Sequence, residues 1–301
     1  MVGAALLAWI IQQAIAKGDW SKVLEAPAWL LVALVGATLV SAIANGAAFW
    51  ITIRPVKKLR FWDLQALNLV ASMLNYAPVR VGAISRFLYH MRVDQMPLFQ
   101  IVAWFVAIMC MFGVGLAAVV GATIICPQLN AIWFILLVVG TVGLGFILRG
   151  LAATPFVMHY GRGAGPILRN HRAIWGGIIL RLIDLGAFAC RMAAALAILG
   201  IDLSPTQTLV LAVVAVLANL IPFGRVGFRE FAVAMAAAQL FSSDTTFDVP
   251  WEMLALFESA GEAAVFIPLG GILLIWFIPR LANARSTKES VDHSSSDSIY
   301  E

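Results

Sequence analysis

Apolar residues in this chain come in long runs, without the strand alternation or the narrow helical stripe of a soluble fold. Val2 to Ala16, Pro27 to Ile53, Pro97 to Cys126, Ala131 to Leu148, Ala173 to Gly200 and Trp251 to Ile278 carry few charges or none. About 20 consecutive apolar residues suffice for a helix to cross a bilayer, so each run predicts a transmembrane helix. The first is short and draws on Lys17 to Trp20 to complete its length. Two more apolar segments, Phe61 to Met91 and Thr206 to Phe241, are broken in the middle. The pattern predicts an all-α polytopic membrane protein with six full spans and two interrupted segments.

The interruptions are alike. The first reads NYAPVRVGAISR, from Asn75 to Arg86, and the second NLIPFGRVGFRE, from Asn219 to Glu230. In each, Asn is followed three residues later by Pro (Pro78, Pro222), then by Arg-Val-Gly (Arg80 and Gly82; Arg225 and Gly227) and a further arginine (Arg86, Arg229). The asparagines are 219 − 75 = 144 positions apart. Proline removes a backbone donor and glycine loosens the chain, so a helix breaks at each. In hydrocarbon, a broken helix is tolerated only where its freed backbone groups are buried in protein or line a wet cavity. Matched interruptions in two halves are the best sequence pointer to a transporter's binding site.

Charge placement gives the broken segments a direction. The loop after the second run carries Arg54, Lys57, Lys58 and Arg60, and the loop after Ala131–Leu148 carries Arg149, Arg162, Arg169 and Arg172. Basic loops mark the cytoplasmic side. Asp202, Asp244 and the acidic SSDTTFDVPWE stretch fall on the other side. Each broken segment then enters and leaves on one face, as a re-entrant hairpin, and the two enter from opposite faces. The expectation is an inverted repeat with halves 1–128 and 129–280, three spans and one hairpin in each, in the cell membrane with both termini cytoplasmic. The Ser-rich stretch 281–301 has no apolar periodicity and reads as a disordered cytoplasmic tail.

Composition agrees. The chain is 62% hydrophobic and 12% charged over 301 residues, against about 25% charged for soluble domains. Its net charge of +4 is distributed by topology and is no sign of nucleic-acid binding. Cys110, Cys126 and Cys190 lie too far apart for a disulfide framework or a metal-ligand spacing. The Gly161–Pro166 stretch lacks the Lys-Ser/Thr of a nucleotide loop. No cofactor and no catalytic constellation is expected.

At the two interruptions the chain resembles the lysylphosphatidylglycerol synthase transmembrane family of flippase-like domains. Pro78, Arg80, Gly82 and Arg86 match its Pro-Gly-Arg-x-Gly-Glu-x-x-Arg motif, with Val79 and Ala83 in place of Gly and Glu. Pro222, Gly224, Gly227, Arg229 and Glu230 match its Pro-x-Gly-Gly-x-Gly-x-Arg-Glu motif, with Arg225 in place of a glycine. The Glu-Arg pair usual after the first hairpin is absent from Ile101–Phe112. The resemblance implies a flippase domain without the aminoacyl-transferring domain of its fused relatives.

The binding residues expected are Asn75, Pro78, Arg80, Gly82 and Arg86 on one hairpin, and Asn219, Pro222, Arg225, Gly227, Arg229 and Glu230 on the other. Arginine suits phosphate because its planar fork binds two oxygens at once. The competing reading is that these arginines only anchor the hairpins. Glu230 reads first as a neutraliser of Arg225 or Arg229, then as a proton carrier or a contact for a cationic headgroup. Arg181 and Asp184, three apart, share a helix face and read as a self-satisfied pair, with Arg191 on roughly the same face. Glu258 and Glu262, four apart, read as counter-charges to the hairpin arginines before they read as a shared-proton pair. The expected activity is movement of an anionic lipid or lipid-linked intermediate between leaflets. The alternatives are a non-transporting partner of an envelope lipid enzyme and, behind it, a headgroup-modifying enzyme. The expected partners are anionic membrane lipids and a separate lipid-modifying or glycosyl-transferring enzyme.

Overall fold

The computed structural model describes residues 2–18, 21–77, 81–155, 164–220, 227–241 and 251–297. Every regular element among them is a helix: α1 (Val2–Lys17), α2 (Ser21–Leu24), α3 (Ala28–Ile53), α4 (Phe61–Leu74), α5 (Val81–Arg92), α6 (Leu98–Ile125), α7 (Ala131–Leu151), α8 (Ala164–Arg169), α9 (His171–Leu199), α10 (Pro205–Ala218), α11 (Phe228–Phe241) and α12 (Trp251–Asp297). Five are long and apolar enough to cross a membrane: α3, α6, α7, α9 and α12 over Trp251–Asn283. The protein is a multi-pass helical membrane protein. The first helix, expected as a sixth span, has 16 residues, Val2–Lys17. At 1.5 Å per residue it is about 24 Å long, against the roughly 30 Å hydrocarbon core.

Helix ends follow local chemistry. Gly200 closes α9 in the left-handed region at φ 67°, and Ile201 N–H returns to the Leu196 carbonyl at 3.0 Å. Ser204 and Gln207 form a capping box over α10, with Pro205 at its first position. The last helix continues to Asp297, past the point where a disordered tail was expected to start. Ala282, Ala284, Arg285, Lys288 and Glu289 in that stretch are good helix formers.

The long helices α3 and α9 pack along each other at the centre. Over its most apolar stretch α9 is 56% buried, whereas α7 is 17% buried, which places α9 inside and α7 at the rim. Around this axis α4 packs on α3 and α12, and α10 packs on α9. The broken segments are the helix pairs α4/α5 and α10/α11, each packed on itself. Neither member of a pair reaches bilayer length: α4, α10 and α11 have 14 residues and α5 has 12, about 21 and 18 Å.

Candidate functional site

The matched glycines make the helix pairs possible, for different reasons. A Cβ on Gly82 would lie 1.9 Å from the Ala71 carbonyl oxygen and 2.5 Å from Asn75 Oδ1, so only glycine lets α5 lie against α4. Gly227 sits at φ 87°, where a side chain is strained, and starts α11. Glu230, three residues on, accepts the Gly227 N–H at 2.7 Å and the Ser259 hydroxyl. The carboxylate thus closes the first turn of α11, in the manner of the third-position acid of a capping box.

Two polar clusters lie in the apolar interior. In the first, the Arg86 Nη2 donates to Asn68 Oδ1 at 2.6 Å, and Asn45 Nδ2 donates to the same oxygen at 3.2 Å. Asn45 Oδ1 accepts from Arg181 at 2.7 Å, Arg181 pairs with Asp184 at 3.3 Å, and Ser41 donates to Asp184 at 2.5 Å. The chain of contacts joins α5, α4, α3 and α9. Both guanidiniums face the Phe49 ring, Arg86 at 4.7 Å and Arg181 at 5.6 Å from its centroid.

The second cluster joins α9, α11 and α12. Arg191 meets Glu258 at 2.5 Å and Glu262 at 2.9 Å. Arg229 meets Glu262 at 2.6 Å and also pairs with Glu258. All four residues are at most 2% exposed. Arg191 also lies over the Phe188 ring at 4.1 Å. Buried charges persist only when paired, and here two arginines and two carboxylates bind crosswise.

Between the clusters lies a cavity of about 490 Å³. Its polar lining includes Asn75 and Arg86 from the first helix pair, Asn219 from the second, Ser41 and Asn45 from α3, Arg181 and Asp184 from α9, and Glu262 from α12. Phe49, Phe87, Phe105, Phe112, Phe188 and Phe266 supply apolar wall. The duplicated asparagines therefore open onto one space. Arg86 alone of the four described interior arginines has no carboxylate in ion-pair distance among the described residues. Its Nε and Nη1 have no acceptor there either, and its side chain is only half-buried.

Of the residues expected to bind, Asn75, Arg86 and Asn219 line the cavity. Arg229 and Glu230 do not; they tie the start of α11 to α12. Gly82 and Gly227 shape the backbone. Pro78, Arg80, Pro222 and Arg225 lie outside the described residues. Arg191 leaves the Arg181–Asp184 pair and joins Glu258 and Glu262. The pattern alone missed Ser41, Asn45 and Asn68. Ser41 and Asn45, polar and four apart within a span, were the available signal. Among the described residues no group of His, Cys, Asp and Glu could hold a metal ion. The chain matches no protein-family model, no curated protein and no solved structure.

Proposed function

We propose that this protein moves an anionic lipid headgroup between leaflets through the cavity between its two broken helix pairs. One observation carries the reading: Asn75 and Asn219, the matched residues of the duplicated interruption, line a single cavity with Arg86, which has no carboxylate partner among the described residues. An arginine at membrane depth costs about 2.5–3.5 kcal/mol even on the lenient insertion scale. A bound phosphate offsets that cost by taking two guanidinium donors at once. Acyl chains stay in the bilayer while the headgroup passes the phenylalanine-lined wall.

In this reading α4/α5 and α10/α11 are re-entrant hairpins entering from opposite faces, with α1 as a further membrane helix and both termini cytoplasmic. Their short helices support it. So does the packing: α6 on α9 answers α12 on α3, and α6 on α7 answers α1 on α12. The correspondence is partial, since α4 packs extensively on α12 and α6 has no comparable packing on α10. The resemblance of the two motifs to the flippase-like domain family supports the same reading, in which the protein lies in the cell membrane and works with a separate enzyme that makes or modifies its lipid.

The test is leaflet exchange in proteoliposomes with headgroup-labelled phosphatidylglycerol and phosphatidylcholine. The wild-type chain is expected to speed exchange of the anionic lipid over the zwitterionic one, and Arg86→Ala to abolish the difference. Equal exchange of both lipids, or none above empty vesicles, refutes the proposal.

A further inference from the structure

Among the described residues, Glu262 is the one carboxylate that belongs both to the cavity wall and to the ion network of Arg191 and Arg229. Arg191 and Arg229 stand behind it, 0% and 1% exposed, and neither reaches the cavity. Their hydrogen-bonding capacity is not used up. Arg191 Nη1 and Arg229 Nε are buried without an acceptor among the described residues. An anion entering from the Arg86 side therefore meets a carboxylate, with two arginines beyond it.

A fixed carboxylate there would repel the ligand that the cavity otherwise suits. Its bonds, however, are of the kind a phosphate makes to guanidinium groups. We infer that Glu262 is an internal substitute for the ligand anion: it holds Arg191 and Arg229 while the cavity is empty, and gives them up to the entering phosphate group. The inference rests on the cavity being an anion site. It adds a residue that sets affinity by competition, and a link from ligand to helix movement. Once Glu262 lets go, Arg229 at the start of α11 keeps Glu258 as its one carboxylate partner on α12 among the described residues. Binding then loosens the second helix pair from its support, a differential contact of the kind a ligand needs to shift a conformational equilibrium.

The inference predicts a sign opposite to that of a purely structural carboxylate: neutralising Glu262 tightens binding. The full-length protein in detergent would be titrated with inorganic phosphate and with dioctanoyl phosphatidylglycerol, and its folding checked by thermal melting. Glu262→Gln is expected to bind at least about tenfold tighter, a change of about 1.4 kcal/mol. If both probes gain, the recognised group is the phosphate itself; if only the lipid gains, it is the esterified headgroup. Glu258→Gln, in the same network but off the cavity wall, is expected to show no such gain. Should Glu262→Gln fail to fold, Glu262→Asp withdraws the carboxylate by one methylene and is expected to tighten binding in part. A folded Glu262 variant with unchanged or weaker binding overturns the inference, as does an equal gain in Glu258→Gln. Arg86→Ala separates the two claims. If it weakens binding while Glu262→Gln brings no gain, only the role of Glu262 falls. If it leaves binding of every probe unchanged, the anion-site reading falls as well.

Discussion

Replacing Arg191 with Met tests whether the buried network holds the bundle together. Methionine keeps much of the length and apolar volume, so the loss is chiefly that of the charge. Arg191 gives up contacts to Glu258 at 2.5 Å and Glu262 at 2.9 Å, and its place over Phe188 at 4.1 Å. The two carboxylates, at 1% and 2% exposure, then share Arg229 alone among the described arginines. Removing one partner of a buried ion pair costs about 3–5 kcal/mol, because the other charge stays buried. A desolvated cation–π contact adds up to about 2 kcal/mol. The expected loss is therefore about 3–7 kcal/mol, read as a shift in denaturant-induced unfolding in detergent. The double variant Arg191→Met/Glu258→Gln removes one charge of each sign, so it should recover at least about 1 kcal/mol relative to the summed single losses. A single-variant loss below about 1 kcal/mol, or strictly additive losses in the double variant, refutes this account of the network.

The helix pairs and the topology give further predictions. Gly82→Ala drives a Cβ to 1.9 Å from a carbonyl oxygen, so it should destabilise by about 1–3 kcal/mol and open the α4/α5 contact, measured by melting and by cysteine crosslinking across the pair. Gly227→Ala faces strain at φ 87°; a loss of about 1–2 kcal/mol is expected, and no loss would mean that α11 starts in another conformation. With single cysteines in a cysteine-free background, positions 202 and 244 should both react with reagents added outside the cell. Labelling at 244 alone would make α10/α11 a full crossing.

The order of the helices could be read because each apolar run ends at charged or proline-containing loops, as at Arg54–Arg60 and Cys126–Asn130. The breaks at Asn75 and Asn219 were legible for the same reason, and so was the shared face of Arg181 and Asp184. The partners of Arg86 and Arg191 were not legible. Arg191 lies seven residues past Asp184 on roughly the same face, but about 10 Å further along α9, where it meets Glu258 and Glu262 of α12. Asn68 bridges Arg86 and Asn45 across three helices, and no sequence spacing encodes such a contact. The expected role of Glu258 and Glu262 as counter-charges to a hairpin arginine was legible, and Arg229 is an arginine they meet.

The central claim is that both helix pairs serve one anion site, and a double-mutant cycle on Arg86 and Asn219 tests it most directly. Binding of dioctanoyl phosphatidylglycerol would be measured for Arg86→Ala, Asn219→Ala and the double variant, each verified as folded. Loss of a charge-assisted hydrogen bond at Arg86 costs about 1.5–3 kcal/mol, so the account predicts at least about a tenfold weakening. Arg86→Lys should recover only part of it, because the ammonium keeps the charge without the fork. Residues that share one ligand should couple by at least about 0.5 kcal/mol across the two helix pairs. Additive losses, or undiminished binding in the double variant, would contradict a shared site.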